Sequence, residues 1–324
     1  MRGVRFALSL LPLLFLGIVA PVVAQVYPAK PIRLVNPLGS GGTAEALART
    51  IATQLSQQLG QPVVLETKTG AAGTIGVEYA AKSTPDGYTL LYGVTGANTI
   101  APALYRKLPY DPENDLAPIS MAVLGPNVLV VQAGLNISSV QDLIAQARSK
   151  AGPFSFASAG TGSMSHLNGE MFKVQTGIDL LHVPYKGGGA AVPDLLSGRV
   201  NMMFETSAGV APLIRSGKLR ALAVTTRERW SQLPDVPTFA EVGLPEMSST
   251  VWGALFAPAG TPRAILERIS EELSRAKSNA AYREQLAALN NEPVSMTPDE
   301  FKSFVHQEIQ RYGELLRRAG VKPE

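Results

Sequence analysis

Five times along this chain a short β-rich run ends in a cluster of small residues and passes into a helical pattern. The clusters are Leu38-Gly39-Ser40-Gly41-Gly42-Thr43, Thr69-Gly70-Ala71-Ala72-Gly73, Gly96-Ala97-Asn98, Gly160-Thr161-Gly162-Ser163 and Gly187-Gly188-Gly189. Repeated strand–loop–helix units of this kind fold as an α/β protein, with parallel-rich sheets flanked by helices. In open α/β sheets the loops at the carboxyl ends of the strands are where ligands bind. Glycine there lets backbone approach a ligand, and the helix that follows offers unpaired N–H groups and the positive end of its dipole.

The units fall into two series. The first opens with IRLVN at 32–36 and a helical stretch at 43–59, with Leu47, Ile51 and Leu55 on one face and Thr43 as candidate N-cap. It continues with strands at 63–66 and 89–93. A polar, Pro-containing loop at 108–115 closes it. The second series alternates helices and strands from 140 to 224. Two strand-like runs, 127–132 (NVLVVQ) and 250–258 (TVWGALFAP), read as crossings between the series. The expected organisation is a lobe of 25–126 plus 254–324, a second lobe of 127–253, and a ligand cleft between them. The last part is helical, and Thr297-Pro298-Asp299-Glu300 is a strong helix start.

The first 24 residues read as a secretory signal peptide. Arg2 and Arg5 precede an apolar run from 6 to 23 that ends in small residues at Ala24. The reading is export to the periplasm with cleavage. Losing that segment changes 29 basic against 26 acidic residues into 27 against 26. The mature chain is then nearly neutral, which gives no case for nucleic acid. Any anion recognition must come from local geometry. With no cysteine, disulfides, thiolate metal sites and Cys nucleophiles are excluded.

Catalytic constellations are poor. The three histidines, His166, His182 and His306, show no metal-ligand spacing. Ser163 and His166 sit together at a helix start, where capping and ligand hydrogen bonding are the simpler reading than a triad. Gly39, Gly41 and Ala44 satisfy a dinucleotide-type G-x-G-x-x-A with Glu66 on the next strand, but Pro37 stands between strand and glycines. Lys186 precedes its glycines, so no P-loop is formed. Glu45 and Arg49 suit a surface ion pair. Glu205, at the carboxyl end of the strand VNMMF, is placed to face the cleft and accept a proton or an ammonium group, while Tyr185 and Phe204 could cover apolar ligand surface. No cofactor or metal is expected, and the chain reads as a binding protein rather than an enzyme.

In order along the chain, GGTAEALAR, TGAAGTIGVEYAAKSTPDGYTLL, LYRKLPYDPENDLAPIS, GPNVLVV, FASAGTGSMSHLNGEMF, HVPYKGGGAAVPDLLSGRVNMMF and FAPAGTP resemble the tripartite tricarboxylate transporter substrate-binding family, the Bug receptors. The resemblance runs from Tyr27 to about Gly320. It implies a two-lobed, type II Venus-flytrap receptor of the periplasm that closes around a small carboxylate and delivers it to inner-membrane transporter subunits. A receptor feeding a sensor would bind alike, and a hydrolase or lyase is the remote alternative. A monomer is expected. Carried over, the ligand-binding residues are Leu38, Gly39, Ser40, Gly41, Gly42 and Thr43; Thr69, Gly70, Ala71, Ala72 and Gly73; Asn98; and, in the second lobe, Ser158, Gly160, Thr161, Ser163, His166, Tyr185, Lys186, Gly187 and Glu205. The chain departs from the family pattern at Leu38, Ala44, Glu45 and Glu205, which bears on ligand identity.

Overall fold

The computed structural model describes residues 27–39, 42–149, 154–318 and 320–321. The expected signal peptide, 1–24, lies outside the described residues.

The chain builds two sheets. In the first, β1 (Ile32–Asn36) lies parallel between β2 (Val63–Thr67) and β3 (Thr89–Val94). Helix α1 (Thr43–Leu59) makes the crossover from β1 to β2, and α2 (Thr74–Ala81) the one from β2 to β3. Leu47, Ile51 and Leu55 are buried on one face of α1, as their spacing requires. After the short α3 (Ala101–Leu104) comes β4 (Leu116–Gly125), ten residues that the sequence reading left unassigned. Pro118 hides this strand, because proline cannot donate to a ladder. It sits where the pairing with the antiparallel partner slips register, opposite Phe256.

At Pro126 the chain leaves for the second sheet. Here β5 (Asn127–Gln132) is followed by α4 (Val140–Ser149), β6 (Phe154–Ser158), α5 (Met164–Thr176), β7 (Leu180–Pro184), α6 (Gly188–Leu196), β8 (Met202–Thr206), α7 (Ser207–Arg215) and β9 (Leu219–Val224). Its order is β7-β6-β8-β5-β9, with β6 parallel to β7 and β8, and β5 antiparallel to β8 and β9. The chain then returns to the first sheet as β10 (Val251–Pro258). Val251 already pairs with Gly125 and Gly253 with Val94, so the return crossing precedes the 253/254 boundary expected from sequence. Helices α8 (Arg263–Ala276) and α9 (Ala280–Ala288), the two-residue β11 (Glu292–Pro293) and α10 (Pro298–Arg318) follow. The first sheet has the order β11-β4-β10-β3-β1-β2. Both sheets are therefore mixed, each with its glycine loops on a parallel core.

Helix α10 ties the two halves together. It starts in the expected capping box: the Glu300 carboxylate accepts the Thr297 N–H at 2.8 Å, and Thr297 Oγ1 accepts the Glu300 N–H at 3.3 Å. Its Phe301 and Val305 join Trp252 and Phe256 in the core of the first sheet. Its Tyr312 and Leu316 join Phe156, Phe172 and Phe204 in the core of the second. Each such fully buried side chain contributes about 1.5–3 kcal/mol. Arg311 adds a hydrogen bond to the carbonyl of Ser248.

Helix α5 packs on β6 through Gly169, where a Cβ would overlap the ring of Phe156. Alanine favours a helix over glycine by about 1 kcal/mol. Overpacking costs about 1–3 kcal/mol, and Phe156 is fully buried. We expect Gly169→Ala to lower the melting temperature; a raised one in thermal denaturation would show that the ring yields freely.

Candidate functional site

At the end of β1 the side chain of Asn36 folds the loop: its Nδ2 donates to the Leu38 carbonyl at 2.9 Å and its Oδ1 accepts the Leu38 N–H at 3.3 Å. Ser40 and Gly41 lie outside the described residues. Gly42, not Thr43, is the N-cap of α1; Thr43 is the first helical residue, and no side chain caps this end. A Cβ on Gly39 or Gly42 would meet open space. Among the described residues no side chain accepts from the N–H of Thr43 or Ala44, which are open to a ligand or to water.

The second loop is unusual backbone. Gly70, Ala71, Ala72 and Gly73 have φ of 137°, 45°, 53° and 100° in succession. Two consecutive alanines at positive φ are strained, and strain of this kind persists only where the surroundings impose it. Thr69, Ala71 and Ala72 are exposed, whereas Gly73 is buried. A Cβ on Gly73 would stand 3.4 Å from both Leu38 Cδ2 and Ala97 Cβ, so the first three loops converge here. In the third loop Asn98 is fully buried, and its Oδ1 accepts the Val94 N–H at 2.9 Å. Its Nδ2 has no partner among the described residues.

The third loop also touches the second sheet. A Cβ on Gly96 would lie 3.3 Å from the Gly162 carbonyl, and one on Gly162 would lie 3.0 Å from Leu104. From Gly160–Ser163 the line continues, because the Tyr185 N–H reaches the Ser158 carbonyl and the Gly187 N–H reaches that of Ala159. Five loops from two sheets therefore form one continuous seam.

Within it, Ser163 is the N-cap of α5: its Oγ accepts the His166 N–H at 3.2 Å and donates to the Gly160 carbonyl at 2.6 Å. That is the capping role read from sequence. Thr161 is exposed, and its side chain has no hydrogen-bond partner among the described residues. Tyr185 is half-buried, and its hydroxyl donates to Asp194 at 2.7 Å. Lys186 is exposed, with no ion partner among the described residues. Gly187 caps α6 without a side-chain bond. Glu205 is buried: its Oε1 accepts both the N–H and the hydroxyl of Thr206 at 2.9 Å. Glu66, the ribose ligand of a dinucleotide reading, is instead paired with Arg33 at 3.0 Å and Lys68 at 2.9 Å.

Sequence reasoning missed a role for His182. Ser158 Oγ lies 2.7 Å from its Nε2, and its ring stacks on His166 at 4.1 Å and on Phe156 at 4.8 Å. His166 Nδ1 accepts the Gly162 N–H at 3.2 Å. The Gly160–Ser163 loop thus hangs on two imidazoles. Ser165 holds it as well, accepting the Ala159 N–H at 2.8 Å. Only the polar residue inside an apolar strand (Leu180–Pro184) signals His182 in the sequence.

Both imidazoles are pushed down to about 4, His166 by burial and then the Lys173 charge, His182 by burial and then His166. An unfolded histidine titrates near 6.5. Between these values the unfolded chain binds more protons, so this stability is complete above about pH 6.5 and is lost as pH falls towards 4. We expect the melting temperature to drop from about pH 6.5 to about pH 5, above most carboxylate titration, and His166→Gln to flatten that slope. A melting temperature constant across the window would contradict the assignment.

The family model for the tripartite tricarboxylate transporter family receptor matches residues 47–321. Protein BugT of Bordetella pertussis is 41% identical over 307 residues, 94% of each chain. The structure of R. palustris Rpa4515 with adipate gives a TM-score of 0.86 at 35% identity, covering 92% of this chain and 100% of that one. MatC from Rhodopseudomonas palustris with bound malate gives 0.81 at 31%, covering 90% and 100%. On the match along nearly its whole length, the chain belongs to the tripartite tricarboxylate transporter receptor family, whose members are binding receptors and not enzymes.

Proposed function

We propose that this protein captures a small organic carboxylate at the seam of glycine loops and hands it to the inner-membrane subunits of a tripartite transporter. The carrying observation is that α1 and α6 both start on glycine N-caps with no side-chain cap. The N–H groups of Thr43 and Ala44 on α1 and of Gly188 and Gly189 on α6, with the positive dipole ends, can hold a carboxylate without an arginine clamp. The adipate and malate in the structures of two relatives point to the same ligand class. In this reading the segment 1–24 directs export and is removed, the two sheets form the cores of two lobes, and Leu38, Gly42, Thr43, Gly70–Gly73, Asn98, Ser158, Gly160–Ser163 and Gly187 line the ligand, with Ser40 and Gly41 completing the first loop. The protein works as a monomer.

A ligand that binds only the folded state raises stability by RT ln(1 + [L]/Kd), about 2.7 kcal/mol at a hundredfold excess over Kd. We expect at least one member of a panel of dicarboxylates, hydroxy acids and amino acids to raise the melting temperature and to be recovered unchanged. A panel without any shift, or with turnover, would overturn the proposal.

Gly42→Asp separates site from fold. Gly42 has φ −96° and space for a side chain, and Asp is a good N-cap. The variant should fold and melt no lower than the wild type. Its carboxylate would take the anion position at α1, so affinity should fall at least about tenfold, the equivalent of about 1.4 kcal/mol. Undiminished affinity in calorimetry would remove the first loop from the site.

A further inference from the structure

One buried group has chemistry that the carboxylate reading has not used. Glu205 is 9% exposed and is the penultimate residue of β8, beside the parallel strand β6 that ends in Ser158. Its two oxygens differ. Oε1 accepts two hydrogen bonds from Thr206, whereas Oε2 is buried and has no partner among the described residues. Oε2 is pressed against the first residue of α6, where a Cβ on Gly188 would overlap it. Glycine at 188 thus leaves no side chain of that residue between the carboxyl and the uncapped end of α6. The contacts on Glu205 from the packed elements are uncharged: Gly188 from α6, Thr206 and Gly209 at α7, and Val128 opposite it on β5.

A buried carboxyl without a cation is expensive to ionise. Burial raises the affinity of Glu205 for its proton, against the opposing effect of the two Thr206 bonds. With both donors of Thr206 on Oε1, the proton belongs on Oε2. There it is a buried donor with no acceptor, and a donor left unmade costs free energy until something supplies one.

We propose that Glu205 is an uncharged hydrogen-bond donor that reads an acceptor at the second end of the ligand, so that the site selects compounds with two carboxylate-like ends over those ending in an ammonium group. The inference rests on the carboxylate reading of the seam and sharpens it. The first carboxylate goes to the α1 side, and the second meets the α6 N-terminus and the Glu205 hydroxyl together.

The test is calorimetry on the purified protein with succinate, malate and adipate, succinate and adipate each set against its length-matched ω-amino monocarboxylate. Glu205→Gln keeps a donor of the same shape without a titrating proton, and Glu205→Ala removes it. We expect the wild type to prefer the best-bound dicarboxylate over an amino acid of matched length by about tenfold or more. The Gln variant should retain dicarboxylate affinity within about threefold, and the Ala variant should lose about 10- to 100-fold. Raising pH far enough to ionise Glu205 should weaken dicarboxylate binding in the wild type, as the new charge meets a like charge, and leave the Gln variant unaffected. A merely structural role would not produce that difference. Gln as damaging as Ala, an equal pH slope in Gln and wild type, or a preference for the amino acid would each overturn the proposal while leaving carboxylate binding intact. Binding of none of these compounds would overturn both readings.

Discussion

The structure depends on backbone N–H groups that the fold leaves unpaired at helix starts. A helix end normally finds a partner in a side chain. Here α5 does, through Ser163, whereas α1 and α6 begin on Gly42 and Gly187 and do not. The difference divides labour along the seam. The α5 loop is fixed internally by Ser158, Ser163, Ser165, His166 and His182, while the α1 and α6 ends stay available. With 29 basic against 26 acidic residues the sequence is close to balanced, so no strong global field draws an anion in. In the proposed reading, recognition rests on these few dipoles, and glycine geometry matters more than charge.

Packing sets the precision with which those groups are held. Leu38, Gly73 and Ala97 are in contact because β1, β2 and β3 are parallel neighbours whose carboxyl ends come level. The strained pair Ala71–Ala72 is kept in place by the buried Gly73 behind it and by α2, where Gly76 packs directly on Pro37. Across the seam, α10 belongs to both cores, and Ser207 Oγ donates to the Asn290 carbonyl at 3.1 Å. The two halves of the site therefore share one structural support.

Much of this was legible in the sequence because it is local. The glycine clusters announce the loops, the spacing of Leu47, Ile51 and Leu55 announces α1, and Thr297 with Glu300 announces α10. What was hidden is non-local or masked by one residue. Pro118 concealed β4. The bond between Ser158 and His182 joins neighbouring strands and leaves no periodic trace. The bond from the Tyr185 hydroxyl to Asp194 likewise left no local signal. Glu205 was read as a cleft carboxylate that accepts a proton or an ammonium group, and its burial against Gly188 left no trace in the sequence. Propensity places elements, but which polar group meets which is decided by tertiary packing.

The central claim is that backbone amides from both sheets together hold one ligand of the carboxylate class. Amide chemical shifts followed during titration with a carboxylate that stabilises the protein test it directly. The account requires simultaneous, saturable shifts at Gly42–Ala44, Gly70–Gly73 and Gly187–Gly189, sharing a single dissociation constant. Shifts confined to one sheet, or centred outside these loops, would contradict it.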